Sequence, residues 1–529
     1  KQAQPGDHIL MVGGRVGKDG IHGATFSSKE LDPNSPVTAV QIGDPITQKK
    51  FSDVIIRELR QQDLYSSITD NGAGGLSSSV GEMAKESGGF IVDLEKVPLK
   101  YKGLYPWEIW ISESQERMTL AVHSKNVKKV ISIFNKRGVE ATSIGKFTKN
   151  KRAIVRYNNK DVMNMEMAFL HEGYPKLKLS TQKTKNVFIK KSKIKKHNYK
   201  IELLNLLASP NLCSKEFIST QYDHEVQATS IIKPLQGKGR VFSDATAIKP
   251  LFTSKKSIAL SQAAFPRYAN LDAYKMAACS IDTALRNLIV LGADINKVAL
   301  LDNFCWCSPE EKERLYQLKR AAEACHDYAL AYLTPFISGK DSMYNDFVGF
   351  NGKNKKIKIS IPPTLLISSI GIVKSFEDLT SISPSSNDLI YLIGETKEEL
   401  GGSEYGNMYG YDNTYVPKVD SKKALQKYKT FSKANKQKLI SSAISVHMGG
   451  LGVALSKMAI ASQLGLQINL SKINSFGSSN TLFSESQSRI LVSIKPSNKK
   501  TFEKLCTNLA LIKIGKCISS KILSVYLSE

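Results

Sequence analysis

The run Asp70-Asn71-Gly72-Ala73-Gly74-Gly75-Leu76 leads from a carboxylate through a glycine pair into an apolar segment. Mg2+ is a hard cation that takes carboxylate oxygen, and the free N–H groups of a helix start take phosphate. An Asp that merely initiates a turn has the same signature, so both readings stand for Asp70. Gln41-Ile42-Gly43-Asp44-Pro45 opens a helix in a similar way, with Gln41 a neutral hydrogen-bonding group and Asp44 an N-cap. Between Gly13 and Gly23, glycines 13, 14, 17, 20 and 23 surround Arg15 and Lys18. Such a loop lets backbone N–H groups approach an anion, although it is one residue short of a Walker spacing and also reads as a surface loop. Ser112-Glu113-Ser114-Gln115-Glu116-Arg117 packs donors and acceptors suited to a phosphate or a ribose, with Arg117 as a structural ion-pair partner. Further on, Ser338-Gly339-Lys340-Asp341-Ser342 follows an apolar run, where Lys340 suits a phosphate and Asp341 a metal.

Other chemistries are excluded by spacing. The eight His form no HxxxH or HExxH pair, against a zinc hydrolase, and there is no G-x-S-x-G elbow. His224, in Gln221-Tyr222-Asp223-His224-Glu225, reads equally as a proton carrier and as a structural histidine. Seven Cys show no paired CxxC spacing, which predicts reduced thiols in an intracellular, cytoplasmic protein. No apolar run reaches the length of a membrane span, so no membrane partner is expected. The 529 residues carry a net charge of +26. That charge suits nucleic acid or anionic small molecules. Its densest stretch, 176–200, has few aromatics for base stacking and reads as a solvated linker, so nucleic acid is not the expected partner.

These segments must be positioned by a larger design, and the chain repeats itself at long range. Gly6–Gly13 resembles Asn387–Gly394, Gly74-Gly75-Leu76 resembles Gly449-Gly450-Leu451, and Ser112–Arg117 resembles Ser484–Arg489, at offsets of 381, 375 and 372. Three matches in one order, with a slowly drifting offset, predict two copies of one domain near 1–150 and 386–529. Strands are expected at Asp7–Val12, Met118–Val122, Lys297–Leu301 and Ile490–Ile494. Helices are expected at Phe51–Gln62, Leu76–Ser87, Asp272–Leu291 and Pro309–Tyr332. The class is α+β.

Taken together, GDHILMVGGRVGKDGIHGATFSS, QIGDP, DNGAGGL, PWEIWISESQERM, QYDHEVQ, PLQGKGR, LLDNFCW and PFISGKDSMYND resemble the formylglycinamide ribonucleotide amidotransferase (phosphoribosylformylglycinamidine synthase) family. The resemblance implies tandem aminoimidazole-ribonucleotide-synthetase-like A and B domains. Here they run B1 (1–155), a Lys-rich linker (156–200), A2 (201–380) and B2 (386–529), with most of a first A domain, and the catalytic His, expected upstream of Lys1. It implies ATP and Mg2+, formylglycinamide ribonucleotide as substrate, and a glutaminase subunit and a small subunit as partners. Residue by residue, it implies substrate contacts at Gln41, Glu113, Ser114, Gln115 and Ser342. Nucleotide contacts fall at Gly339 and Lys340, and metal contacts at Asp70, Asn287 and Asp341. In the family reaction ATP activates the substrate's amide oxygen and ammonia then displaces phosphate. Lys340 stands where some members have Asn, Thr283 replaces an acidic ligand, and His447-Met448-Gly449 lacks two acids of the family pattern. These departures leave a catalytically inactive scaffold as the alternative, and this chain alone is expected not to turn over.

Overall fold

The computed structural model describes residues 2–26, 28–33, 43–183, 198–221, 225–410 and 415–527. It divides into two units. The first is Lys1–Lys178 with Tyr344–Ile359, and the second Leu179–Met343 with Ser360–Glu529.

The first unit is built on a seven-stranded sheet in the order Ser67–Asp70, Arg117–Val122, His8–Gly13, Ala141–Thr148, Gly89–Asp93, Arg152–Tyr157, Lys160–Glu166. Alternation along the central strand serves two cores at once. Ile9 and Met11 pack in one with Leu76, Val80 and Trp110, and Leu10 and Val12 in the other with Phe51, Val54 and Phe134. The helix Pro45–Val54 starts at Asp44, whose carboxylate accepts the N–H groups of Ile46 and Thr47, as an N-cap should.

The second unit holds a six-stranded sheet in the order Ser442–Val446, Arg489–Ile494, Leu389–Ile393, Leu511–Ile518, Gly465–Asn469, Leu523–Tyr526. Strand for strand, this is the order of the first six strands above. Ile390 and Leu392 again face one core while Tyr391 and Ile393 face the other. Even the irregularity recurs. A bulge falls after Ile9 opposite Gly145, and after Ile390 opposite Gly515. A Cβ at either glycine would lie 2.1 Å from a carbonyl oxygen of the neighbouring strand, Ile91 or Gln467, so only glycine fits there.

The same unit contains a second six-stranded sheet, ordered Phe336–Ser342, Val298–Cys305, Thr364–Val373, Ser257–Ala263, Ala245–Ile248, Ser230–Ile232. The buried helix Pro266–Leu291 packs on it, and Lys312–Tyr332 packs on that helix. The helix is broken at Asp272, whose carboxylate accepts the N–H of Lys275 and caps the part that follows; the predicted start at Asp272 falls on this break.

Two expected boundaries move. Residues 156–172 are not linker: Lys160–Glu166 pairs with Arg152–Tyr157, and a helix Met167–Glu172 follows. Met163, Met165 and Leu170 from this segment pack on the core of the first unit. Strands Asp346–Phe350 and Lys356–Ser360, inside the expected A2 span, mostly group with the first unit, where Phe347 bridges Leu31 and Lys358 pairs with Glu30. Most of the Lys-rich stretch, 184–197, lies outside the described residues, as do Gln41 and His224. All seven cysteines are free, and among the described residues no helix is long and apolar enough to cross a membrane.

Candidate functional site

In the first unit the loop Ser112–Arg117 is folded around its own buried groups. Arg117 is 3% exposed, and its guanidinium donates to the carbonyls of Ser114 (2.6 Å) and Ser112 (2.6 Å). Burial pulls this guanidinium down to about 10. Glu113 accepts the N–H of Gly74 (3.1 Å) and of Ala24 (2.9 Å), tying the Gly-Gly helix start to the glycine loop. Ser114 accepts the N–H of Gly17 and donates to Asp19. Burial would raise the Asp19 carboxyl, but bonds from Lys100 and Ser114 outweigh it and hold it below the usual range. Both cations of the loop are paired, Lys18 with Glu108 and Arg15 with Glu140. Of the three loop residues expected to meet substrate, Gln115 alone is exposed.

Asp70 is exposed, and one carboxylate oxygen accepts the N–H of Gly72 at 2.8 Å, the geometry of an Asp-initiated turn. Its other oxygen meets no hydrogen-bond donor among the described residues, so the turn leaves it a ligand atom. The turn and metal readings of Asp70 are therefore compatible.

The second copy repeats this arrangement group by group. Arg489 donates to the carbonyls of Ser486 and Ser484, Ser486 accepts the N–H of Lys397, and Glu485 accepts those of Gly449 and Glu404. The difference is coverage. Gln487 is 6% exposed, and its amide oxygen accepts from Thr283 (2.8 Å) and Arg286 (3.2 Å) of the long helix. What is an open loop in one copy is a joint in the other.

The remaining predicted residues fall in two places in the second unit. Gly339, Lys340, Asp341 and Ser342 lie on Phe336–Ser342, the edge strand of its sheet, with Lys340 and Asp341 exposed and Lys340 donating to Ser342. Sequence reasoning missed Asp302. Parallel pairing sets it beside Gly339, so close that a Cβ there would lie 2.4 Å from its carboxylate. Burial, and then Asp341, push the Asp302 carboxyl up. Asn287 instead lines a cavity of about 1170 Å³ that the edge-strand residues do not line. It donates to the Asp244 carbonyl and to Ser261. The Asp244 carboxylate pairs with His447 (3.1 Å) and Lys457 (3.1 Å). Burial would raise that carboxyl, but its pairing with Lys457 and His447 prevails and holds it well below the usual range.

Glu485, which also lines this cavity, is 1% exposed, and burial pushes its carboxyl up to about 7 although Tyr268, Gly449 and Glu404 donate to it. The folded state thus keeps a proton that the unfolded chain, with an ordinary value of 4.5, has released. Stability from this group is full below about pH 4.5 and is lost as pH rises through about 7, by on the order of 3 kcal/mol. Glu485→Gln keeps an acceptor for both N–H groups and cannot titrate. Melting curves at about pH 5 and pH 8 should show a smaller drop for the variant than for the wild type; equal drops would mean that Glu485 does not titrate in this range.

Comparison with known proteins adds the following. The family AIR synthase related protein, C-terminal domain, matches residues 4–158 and 385–528, and its N-terminal domain counterpart matches 242–364. The phosphoribosylformylglycinamidine synthase subunit PurL of Methanocaldococcus jannaschii is 34% identical over 526 residues, covering 97% of this chain and 69% of that protein. PurL of Thermococcus sibiricus is 32% identical over 514 residues, covering 95% and 68%. Among solved structures, Thermotoga maritima PurL complexed with FGAR superposes with a TM-score of 0.71 at 20% identity, over 98% of this chain and 72% of that one. PurLQS of T. maritima superposes at 0.67 and 19% identity, over the same fractions.

Proposed function

We propose, from the fact that this chain belongs to the PurL family of phosphoribosylformylglycinamidine synthase subunits, an ATP-dependent ligase family of purine biosynthesis, that it performs the family's synthetase reaction. It converts formylglycinamide ribonucleotide to the amidine, using glutamine-derived ammonia within a complex that also holds a glutaminase and a small subunit. The observation that carries this reading is the match to a curated PurL across 97% of the chain. Structures of T. maritima PurL with FGAR and with ATP, and of PurLQS, support the substrate, the nucleotide and the complex.

Each group has a task in this reading. Gln115, exposed on a loop that Arg117 and Glu113 hold rigid, meets the substrate, with Gln41 beside it in role. Glu113 and Ser114 act by shaping that loop, since their side chains are already engaged. On the edge strand Lys340 stands opposite phosphate, with Asp302 packed against Gly339 and Asp341 flanking, and the buried Ser342, which accepts from Lys340, positions that lysine. Asp70 would hold Mg2+ in the first unit, where the bound ion would supply positive charge to an anionic ligand.

Gln115→Ala in the assembled synthase should raise KM for formylglycinamide ribonucleotide by about tenfold or more, worth about 1.4 kcal/mol, while the melting temperature changes little because the side chain, although its amide donates to the Glu113 carbonyl (2.6 Å), is exposed. An unchanged KM would remove Gln115 from the substrate site. The second reading, an inactive scaffold, is favoured by the buried joint at Gln487. It requires that substitutions at the first unit's loop and at the edge strand leave turnover intact.

A further inference from the structure

The cavity of the second unit presents a carboxylate, Asp244, and an amide oxygen, Asn287, but its charges do not suit a metal. A divalent ion there would need the Asp244 carboxylate and the Asn287 amide oxygen. Both carboxylate oxygens of Asp244 are taken, one by Lys457 Nζ and one by His447 Nε2, at 3.1 Å each, with all three side chains 14–15% exposed. A Mg2+ ion on this carboxylate would have to displace an ammonium held against it, or share the oxygens with a like charge. The amide oxygen of Asn287 is buried without a hydrogen-bond partner among the described residues. It lines a small space of about 20 Å³ together with Ser445, whose hydroxyl is likewise buried and unpartnered among the described residues, room for one water and too little for a hydrated Mg2+. Where the family pattern has an acidic ligand, Thr283 donates to Gln487 instead. Among the described residues no group of three His, Cys, Asp or Glu side chains could hold a metal ion.

We propose that Lys457, seconded by His447, replaces a divalent cation at Asp244, so that the cavity of the second unit is a metal-independent site. The remaining lining suits a ligand with apolar faces and little charge: Leu212, Phe242, Leu260 and Phe265 form its walls, and Arg240 and Arg267 are already paired with Glu216 and Glu404. Any occupant therefore enters without Mg2+. This goes beyond the synthetase reading, which assigns the metal to the first unit.

The test counts Mn2+ bound to the full chain by electron paramagnetic resonance. Wild type and Asp244→Asn should bind the same number of ions. A count that falls by one in Asp244→Asn would overturn the proposal. Because that variant leaves Lys457 half-orphaned and can fail to fold, Lys457→Met supplies the second arm. Removing the ammonium frees one Asp244 carboxylate oxygen, the other staying with His447, and should add one Mn2+ ion per chain. A folded Lys457→Met protein with an unchanged count means that the ammonium is not what keeps metal out, and the proposal falls. Neither arm reads synthase turnover, so failure of the synthetase reading leaves both results interpretable.

Discussion

Asp282→Ala should destabilise the second unit by about 3–5 kcal/mol, the cost of stripping one partner from a buried charge pair. Asp282 and Arg286 are both 0% exposed and pair directly along the helix Pro266–Leu291. The carboxylate also accepts from the hydroxyls of Tyr332 (2.7 Å), Tyr428 (2.5 Å) and Ser488 (3.2 Å). Without it the Arg286 guanidinium keeps, among the described residues, neutral partners, Gln487, Thr283, the Tyr428 hydroxyl and the Val446 carbonyl, in a fully buried site. The tyrosine hydroxyls lose their acceptor as well. The double variant Asp282→Leu/Arg286→Met removes both charges and should recover a large part of the loss, because desolvating an ion pair offsets much of its attraction. Urea unfolding followed by near-ultraviolet circular dichroism, which reports the tyrosines, measures both. A single variant costing less than about 1 kcal/mol would mean that this pair is solvated.

The second large effect is expected at Gly75. Its φ is +57°, and a Cβ there would lie 1.9 Å from the Ser112 carbonyl oxygen, closer than any packing adjustment can relieve. Gly75→Ala should cost about 3 kcal/mol or more, combining a left-handed backbone with a backbone collision. It should also push the Ser112–Arg117 loop away from the helix start that Glu113 secures. Gly81, in the same helix, gives the contrast. It meets only Leu170 at 3.7 Å, so Gly81→Ala should stabilise by up to about 1 kcal/mol through helix propensity. Thermal unfolding of the two variants side by side separates a helix effect from a loop effect. Two similar losses would show that the Gly75 loop yields.

These numbers also explain which parts of the molecule are legible in its sequence. The repeat is visible because its recurring residues answer to backbone geometry. Gly13 closes the strand His8–Gly13 and Gly394 follows Leu389–Ile393, both at φ +105°, each against a backbone carbonyl of the serine-rich loop, Glu116 or Ser488. Glu113 and Glu485 each hold a glycine N–H, and Arg117 and Arg489 each fold a serine loop. No other side chain does these tasks at those positions, so the words survive while the text around them drifts. The strand Lys160–Glu166 is hidden because polar residues outnumber the methionines that anchor it, and it was read as linker. Asp302 is hidden differently. It sits with Asn303 in the middle of a mostly apolar strand and meets Gly339 only through parallel pairing across a helix, which no local pattern announces. Asp244, His447 and Lys457 converge from positions about two hundred residues apart, where spacing carries no information. The resemblance implies metal contacts at both Asn287 and Asp341, and the structure places the two apart, Asn287 in the cavity and Asp341 on the exposed edge strand.

The central claim is that residues of this chain carry the synthetase chemistry. It is tested most directly with formylglycinamide ribonucleotide labelled with ¹⁸O in its amide oxygen, turned over by the assembled synthase with ATP, Mg2+ and ammonia. If ATP activates that oxygen and ammonia displaces it, the label leaves in inorganic phosphate. The account predicts labelled phosphate from the synthase containing the wild-type chain, and release at least about 100-fold slower with Gln115→Ala/Asp302→Asn, equivalent to about 2.7 kcal/mol, in a complex that still assembles. Labelled phosphate at the wild-type rate from the assembled double variant would contradict it and leave this chain a scaffold.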